Sequence, residues 1–295
     1  MRVLVTGASG FVGRWAVSSL VDRGAQVYAT SRTPHPWPKT VVPCPGDLLN
    51  EHFVHQLLLE TRPEIILHLA WNVTHGKFWT SLDNFNWISA TLNLARLASS
   101  LGVGRFIGAG TCYEYDLPET SNCVENKTPL SPQTLYAVSK DATRRVLEEA
   151  NLFSFAWARL FHLYGPFEHE QRLVASLARA LVHSQPALLS PGLSIRDFLD
   201  ARDAGAALAA LALSTLEGPI NIASGDGLRI SEIAERLGQI SGKPHLIQVG
   251  ALPGRPNEPP RIVADIQRLH HELNFEPTRT LEQGLTDAYL WWRSQ

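Results

Sequence analysis

The chain has 295 residues, and 26 Lys and Arg against 28 Asp and Glu leave a formal charge of −2. With 44% apolar and 18% charged residues it reads as a folded globular chain, and the near-balanced charge excludes a general nucleic-acid binder. No run approaches the roughly 18 apolar residues of a membrane span, the glycine-interrupted N-terminus is not a secretion signal, and Cys44, Cys112 and Cys123 are too scattered for a disulfide framework or a zinc cluster, so cytoplasm is the expected location and no metal is expected.

Arg2 to Thr6 (RVLVT) is a short β-branched run that ends in glycines. A helical pattern follows from about Phe11 to Arg23, Gly24 stops it, and Gln26 to Thr30 reads as a second strand. Pro34 to Pro45 reads as a surface loop. Glu64 to Ala70, Arg105 to Gly108 and Phe155 to Phe161 read as strands, separated by helical patterns at Asn86 to Ser100 and Leu135 to Asn151. This alternation predicts an α/β fold: a Rossmann-type, doubly wound parallel sheet with helices on both faces. After Tyr164-Gly165-Pro166 the pattern loosens into helices near Arg172–His183, Ala201–Leu213, Ile230–Ser241 and Leu281–Trp292, with short strands between. Residues 1–165 are therefore expected to form the larger domain. Residues 166–295 are expected to form a smaller C-terminal α/β lobe, with some exchange of chain between the two.

Gly7-Ala8-Ser9-Gly10-Phe11-Val12-Gly13 sits between the first strand and the first helix. Gly7 permits the tight turn, Gly10 lets the backbone approach a pyrophosphate, and Gly13 lets helix and strand pack closely. The helix N-terminus adds free N–H groups and the positive end of its dipole. Tyr136 and Lys140 are four apart in a predicted helix and share one face, where a nearby cation would lower the phenol's pKa. A tyrosine tuned in this way can exchange a proton with a substrate hydroxyl or carbonyl.

The Gly-x-x-Gly-x-x-Gly spacing resembles the extended short-chain dehydrogenase/reductase superfamily, in particular its nucleotide-sugar epimerases, dehydratases and 4-keto reductases. Tyr136-x-x-x-Lys140 and Thr111, which stands 25 residues before Tyr136 and four before Tyr115, fit that pattern. The resemblance makes Thr111, Tyr136 and Lys140 the catalytic triad. It assigns Gly7, Ser9, Gly10, Phe11, Val12, Gly13, Asp47, Leu48, Leu69 and Ala70 to the cofactor, together with Tyr136 and Lys140. It assigns Thr111, Tyr113, His162, Arg172, Arg196 and Arg255 to a nucleotide-diphosphate sugar, the arginines meeting the diphosphate. His162 departs from the family's Asn. Family members pair as homodimers through the two helices after Asn86 and Leu135.

Ser31-Arg32 closes the second strand, where NAD-binding members carry an acid. That favours NADP(H) over NAD, with Arg14 in a position to assist. Family dehydratases carry acids directly after the Thr, but here Cys112 and Tyr113 follow and Glu114 comes a position late. The expected reaction is NADPH-dependent reduction of the 4-keto group of a nucleotide-activated 6-deoxy sugar. The alternatives are a nucleotide-sugar 4-epimerase with tightly bound NAD, a non-catalytic NADP-sensing protein, and reduction of a non-sugar carbonyl. Cys112 reads as a packed thiol and His169 as a surface histidine.

Overall fold

The computed structural model describes residues 1–254, 256 and 258–295. In chain order the first half runs β1 (Arg2–Thr6), α1 (Gly13–Asp22), β2 (Gln26–Ser31), β3 (Val41–Pro45), α2 (Glu51–Thr61), β4 (Ile65–His68), α3 (Asp83–Ser100), β5 (Arg105–Thr111), α4 (Leu135–Ala150) and β6 (Ser154–Leu160). The second half runs β7 (His162–Tyr164), α5 (Leu173–Val182), β8 (Ala187–Leu189), β9 (Ile195–Asp200), α6 (Ala201–Leu213), β10 (Gly218–Ile222), β11 (Gly227–Arg229), α7 (Ile230–Ile240), β12 (Ile247–Val249), β13 (Arg261–Ile262) and α8 (Leu281–Arg293).

Seven parallel strands form one sheet in the order β10-β6-β5-β4-β1-β2-β3. The central strands are apolar along most of their length because helices cover both faces. One layer of core packs Ala16, Val17 and Leu20 of α1 with Ala204, Ala207, Leu208 and Leu211 of α6. The opposite layer packs Leu57 and Leu58 of α2 with Leu94, Ala95 and Ala98 of α3. The strand order reverses between β1 and β4, and in such sheets the crevice at the carboxyl ends of these strands is where ligands bind.

Two segments differ from the sequence reading. The proline-rich stretch contains an edge strand, β3, paired with β2. Proline is tolerated there because an edge strand need not donate every N–H to the ladder. The helix α2 has its own cap, the Asn50 side chain accepting from Phe53 N, a signal masked in the sequence by a polar, histidine-containing N-terminal turn.

Residues past 165 do not stay apart from the large sheet. The helix α6 packs under it, and β10 extends it beside β6. Arg105 fixes this return, donating to the Ala212, Leu211 and Leu216 carbonyls at 3.2, 2.9 and 2.7 Å at the end of α6. The remaining C-terminal elements form a small sheet around β9, with β7, β11 and β13, over a separate core of Leu177, Leu181, Ile233, Leu237 and Leu285.

Candidate active site

A cleft of about 1020 Å³ opens at the reversal point, between the large sheet and the small one. It is lined by every site residue assigned above except Arg255, which lies outside the described residues. Gly7 has φ +65°, and a Cβ there would stand 2.8 Å from Ala70 N; one on Gly13 would stand 2.8 Å from Ala8 O. Both contacts are backbone, which cannot give way, so the turn is a cradle only glycine can build. The residues present therefore fit a dinucleotide's pyrophosphate. A Gly13→Ala variant is expected to lose about 1–3 kcal/mol of stability from overpacking, and its affinity for a nicotinamide dinucleotide should fall with it. Thermal unfolding with and without NADH or NADPH measures both.

His68 holds the next strand end in place. Its Nδ1 pairs with Thr6 Oγ1 and its Nε2 with Thr91 Oγ1, both at 2.9 Å. Thr6 Oγ1 also accepts from Leu69 N and Ala70 N. Burial, aided by the Lys140 charge, draws the imidazole down to about 3, so it stays neutral. Beyond the carboxyl end of β2, Asp47 Oδ1 accepts from Leu49 N at 3.0 Å, and the Ser31 hydroxyl donates to Thr33 O at 2.8 Å. Arg32 is exposed on the cleft wall. Arg14 is occupied differently from the sequence expectation. Its guanidinium donates to the Ser9 and Gly10 carbonyls and covers the Phe167 ring at 4.0 Å, clamping the turn from outside.

Thr111, Tyr136 and Lys140 meet at the other end. Thr111 ends β5 and caps a turn of 3₁₀ helix, with Tyr113 N donating to its Oγ1 at 3.4 Å. Thr134 caps α4 through Ala137 N, and Tyr136 follows in the first turn, 9% exposed. Lys140 Nζ donates to Ala109 O at 2.9 Å. The electrostatics differ from the simple pairing argument. Burial pushes the Tyr136 phenol up, Glu114 and Cys112 push the same way, and Arg172 and Thr111 pull back. Lys140 is itself drawn down to about 7 by burial, with Glu114 opposing. The phenol is thus held firmly protonated, the state in which it can donate.

Glu114 is fully buried behind β5 rather than on the cleft wall. It accepts from Thr111 N at 2.8 Å, from Trp157 Nε1 at 3.0 Å and from Arg159 Nε at 2.8 Å. Both its oxygens are engaged, so this acid is a strut beneath Thr111 and is not poised to remove a substrate proton. Cys112 is buried and its thiol is pushed up by burial, which keeps it an inert packed group.

Toward the small sheet, Tyr113 Oη lies 3.3 Å from His162 Nε2. Burial and the charges of Arg196 and Arg172 draw His162 down to about 3. A neutral imidazole is a hydrogen-bonding group like the amide it replaces. Arg196 is almost fully buried and pairs with Glu258 at 3.0 Å, and Arg172 pairs with Glu168 at 3.3 Å. Glu168 is pushed up to about 8 by burial. His169 is exposed and stacks on His75 at 5.4 Å across the cleft mouth. The sequence reading missed the aromatic wall around Tyr136. Phe78 and Trp79 meet its ring edge-on at 4.8 and 5.8 Å, and Trp79 also meets Tyr113 at 4.8 Å. The local signal for it was the density of aromatics from Trp71 to Trp79.

Comparison with known proteins places the fold and the family. GDP-6-deoxy-D-mannose reductase of Pseudomonas aeruginosa is 27% identical over 310 aligned residues, covering 100% of this chain and 98% of the relative. The structure of UDP-glucose 4-epimerase from Thermus thermophilus in complex with NAD superposes with a TM-score of 0.87 at 25% identity, over 99% of each chain. MoeE5 in complex with UDP-glucose and NAD gives a TM-score of 0.87 at 25% identity, over 100% of this chain and 99% of that one. Residues 3–223 match the family model as well, and the chain belongs to the NAD dependent epimerase/dehydratase family.

Proposed function

We propose that the protein is an NADPH-dependent reductase of the 4-keto group of a nucleotide-activated 6-deoxy sugar. The observation that carries this reading is the placement of Thr111, Tyr136 and Lys140 at one end of the cleft that has the glycine cradle and Ser31-Arg32 at the other. A bound nicotinamide would supply the hydride that such a reduction needs. Tyr136 gives its proton to the developing alkoxide, Thr111 orients the carbonyl, and Lys140 stands beside the phenol as the local cation. The aromatic wall keeps water from the reacting centre. Arg172 and Arg196 face the diphosphate, which takes Arg196 from Glu258. Residues 1–165 serve the cofactor and 166–295 the sugar nucleotide, with 201–222 returned to the large sheet. Phe85 on α3 and Val138 and Val146 on α4 are about half exposed, which supports a homodimer through these helices. Among the described residues no helix is long and apolar enough to cross a membrane.

Arg32 is the residue on which NADPH preference rests. A charge-assisted hydrogen bond is worth roughly 1.5–3 kcal/mol, so Arg32→Ala is expected to weaken NADPH about 10–100-fold. NADH should stay within about twofold. Fluorescence titration of each nucleotide measures this, and an equal loss for both would remove Arg32 from the 2′-phosphate.

The likeness to a 4-epimerase supports a second reading, in which NAD is bound tightly and retained. The nucleotide released on denaturing the purified protein separates the two, read near 260 nm for either redox state and near 340 nm for the reduced one. A reductase is expected to arrive free of cofactor or to exchange it on dialysis, while retained NAD(H) favours the epimerase. Consumption of NADPH with a nucleotide-activated 4-keto-6-deoxy sugar then tests the reductase directly.

A further inference from the structure

Lys140 is 3% exposed, and an ammonium at that depth needs partners. One is the Ala109 carbonyl. The other is not an acid: Nζ stands 3.8 Å from the centroid of the Trp71 ring, within the range where an aromatic face attracts a cation. The Tyr136 ring is farther, at 5.9 Å. The indole is itself held. Its Nε1 donates to the buried Asn84 Oδ1 at 2.8 Å, and Asn84 Nδ2 donates to the Phe78 and Ser81 carbonyls, both at 2.8 Å. Trp87 stacks on it at 6.3 Å and Tyr136 meets it edge-on at 6.4 Å.

The titratable groups around Lys140 come from four elements. Tyr136 belongs to its own helix. Glu114, after β5, favours the ammonium, but its oxygens bond Thr111, Trp157 and Arg159. His68, at the end of β4, is neutral. Asp83 of α3 accepts from Asn72, Asn86 and Trp87. None of these acids touches the ammonium, and the aromatic face does.

We propose that Trp71 is a positioning residue of the triad, its indole face holding the Lys140 ammonium beside Tyr136. This rests on the triad reading given above. The attraction acts only on the protonated amine, so it opposes the desolvation that draws Lys140 down to about 7. Removing the face must therefore move the lysine's titration to lower pH.

The chain has only five lysines, Lys39, Lys77, Lys127, Lys140 and Lys243. Full-length protein labelled with [ε-13C]lysine can be titrated by NMR, with the Lys140 signal identified from a Lys140→Arg variant. Trp71→Leu is expected to lower the Lys140 midpoint by about one pH unit. Trp71→Phe, which keeps a weaker face, should lower it by less than half as much, and the other four lysines should not move. If Trp71→Leu does not fold, a fall of at least about 0.3 units in Trp71→Phe sustains the proposal. A Lys140 midpoint unchanged to within about 0.2 units in the folded variants overturns it, even where their melting temperature falls. The titration needs no substrate, so it is independent of whether the sugar reduction is found.

Discussion

Tyr136→Phe is expected to lower turnover by about 10²–10⁴-fold, the range of general-acid catalysis, while NADPH affinity stays within about threefold. The ring makes its contacts with Phe78, Trp79 and Trp71 through its edges and faces, and phenylalanine keeps all of them. Only the hydroxyl is lost, together with the proton that burial and the Glu114 charge keep on it. Steady-state kinetics and a binding titration on the same preparation separate chemistry from binding. Full activity in this variant would remove the phenol from the reaction. A biological function that survives the substitution would favour a non-catalytic, NADP-sensing protein.

The second large effect is on stability. Glu114 and Arg159 are 0% and 1% exposed and pair at 2.8 Å. Arg159 also donates to Tyr115 Oη at 3.1 Å, and Tyr115 Oη donates to Asn221 at 2.8 Å. Deleting one partner leaves the other charge buried and unpaired, which costs about 3–5 kcal/mol. Glu114→Ala is thus expected to lower the melting temperature by on the order of ten degrees. Glu114→Gln, which keeps an acceptor for Trp157, should lose less. Urea unfolding of both variants measures this, and a loss below about 1 kcal/mol for Glu114→Ala would mean that the pair does not hold β5 to β6.

The glycine turn, the alternating elements and the Tyr136/Lys140 spacing were legible because each is a local pattern with a local cause. Strand β3 was hidden by Pro43 and Pro45, whose effect depends on lying at a sheet edge, a property of the assembled sheet. The tuning of the triad was hidden for a similar reason. A spacing of four puts phenol and ammonium on one helical face, but burial shifts both groups and is set by β5, by Trp71 and by the segment carrying Phe78 and Trp79. Arg196 illustrates the same limit, since its partner Glu258 lies 62 residues on. Glu114 stands a position late for a dehydratase acid in the sequence, and Trp157 and Arg159, from the neighbouring strand, make it a strut, which no local pattern announces.

The most direct test of the reductase reading is the fate of a deuterium label. NADPH carrying deuterium at nicotinamide C4, incubated with a nucleotide-activated 4-keto-6-deoxy sugar, is expected to leave the label on C4 of the sugar, with one NADPH consumed per product. Unchanged NADPH with the keto sugar left unlabelled would contradict it, and inversion at C4 of the corresponding 4-hydroxy nucleotide sugar with no net loss of cofactor would assign the same cleft to an epimerase.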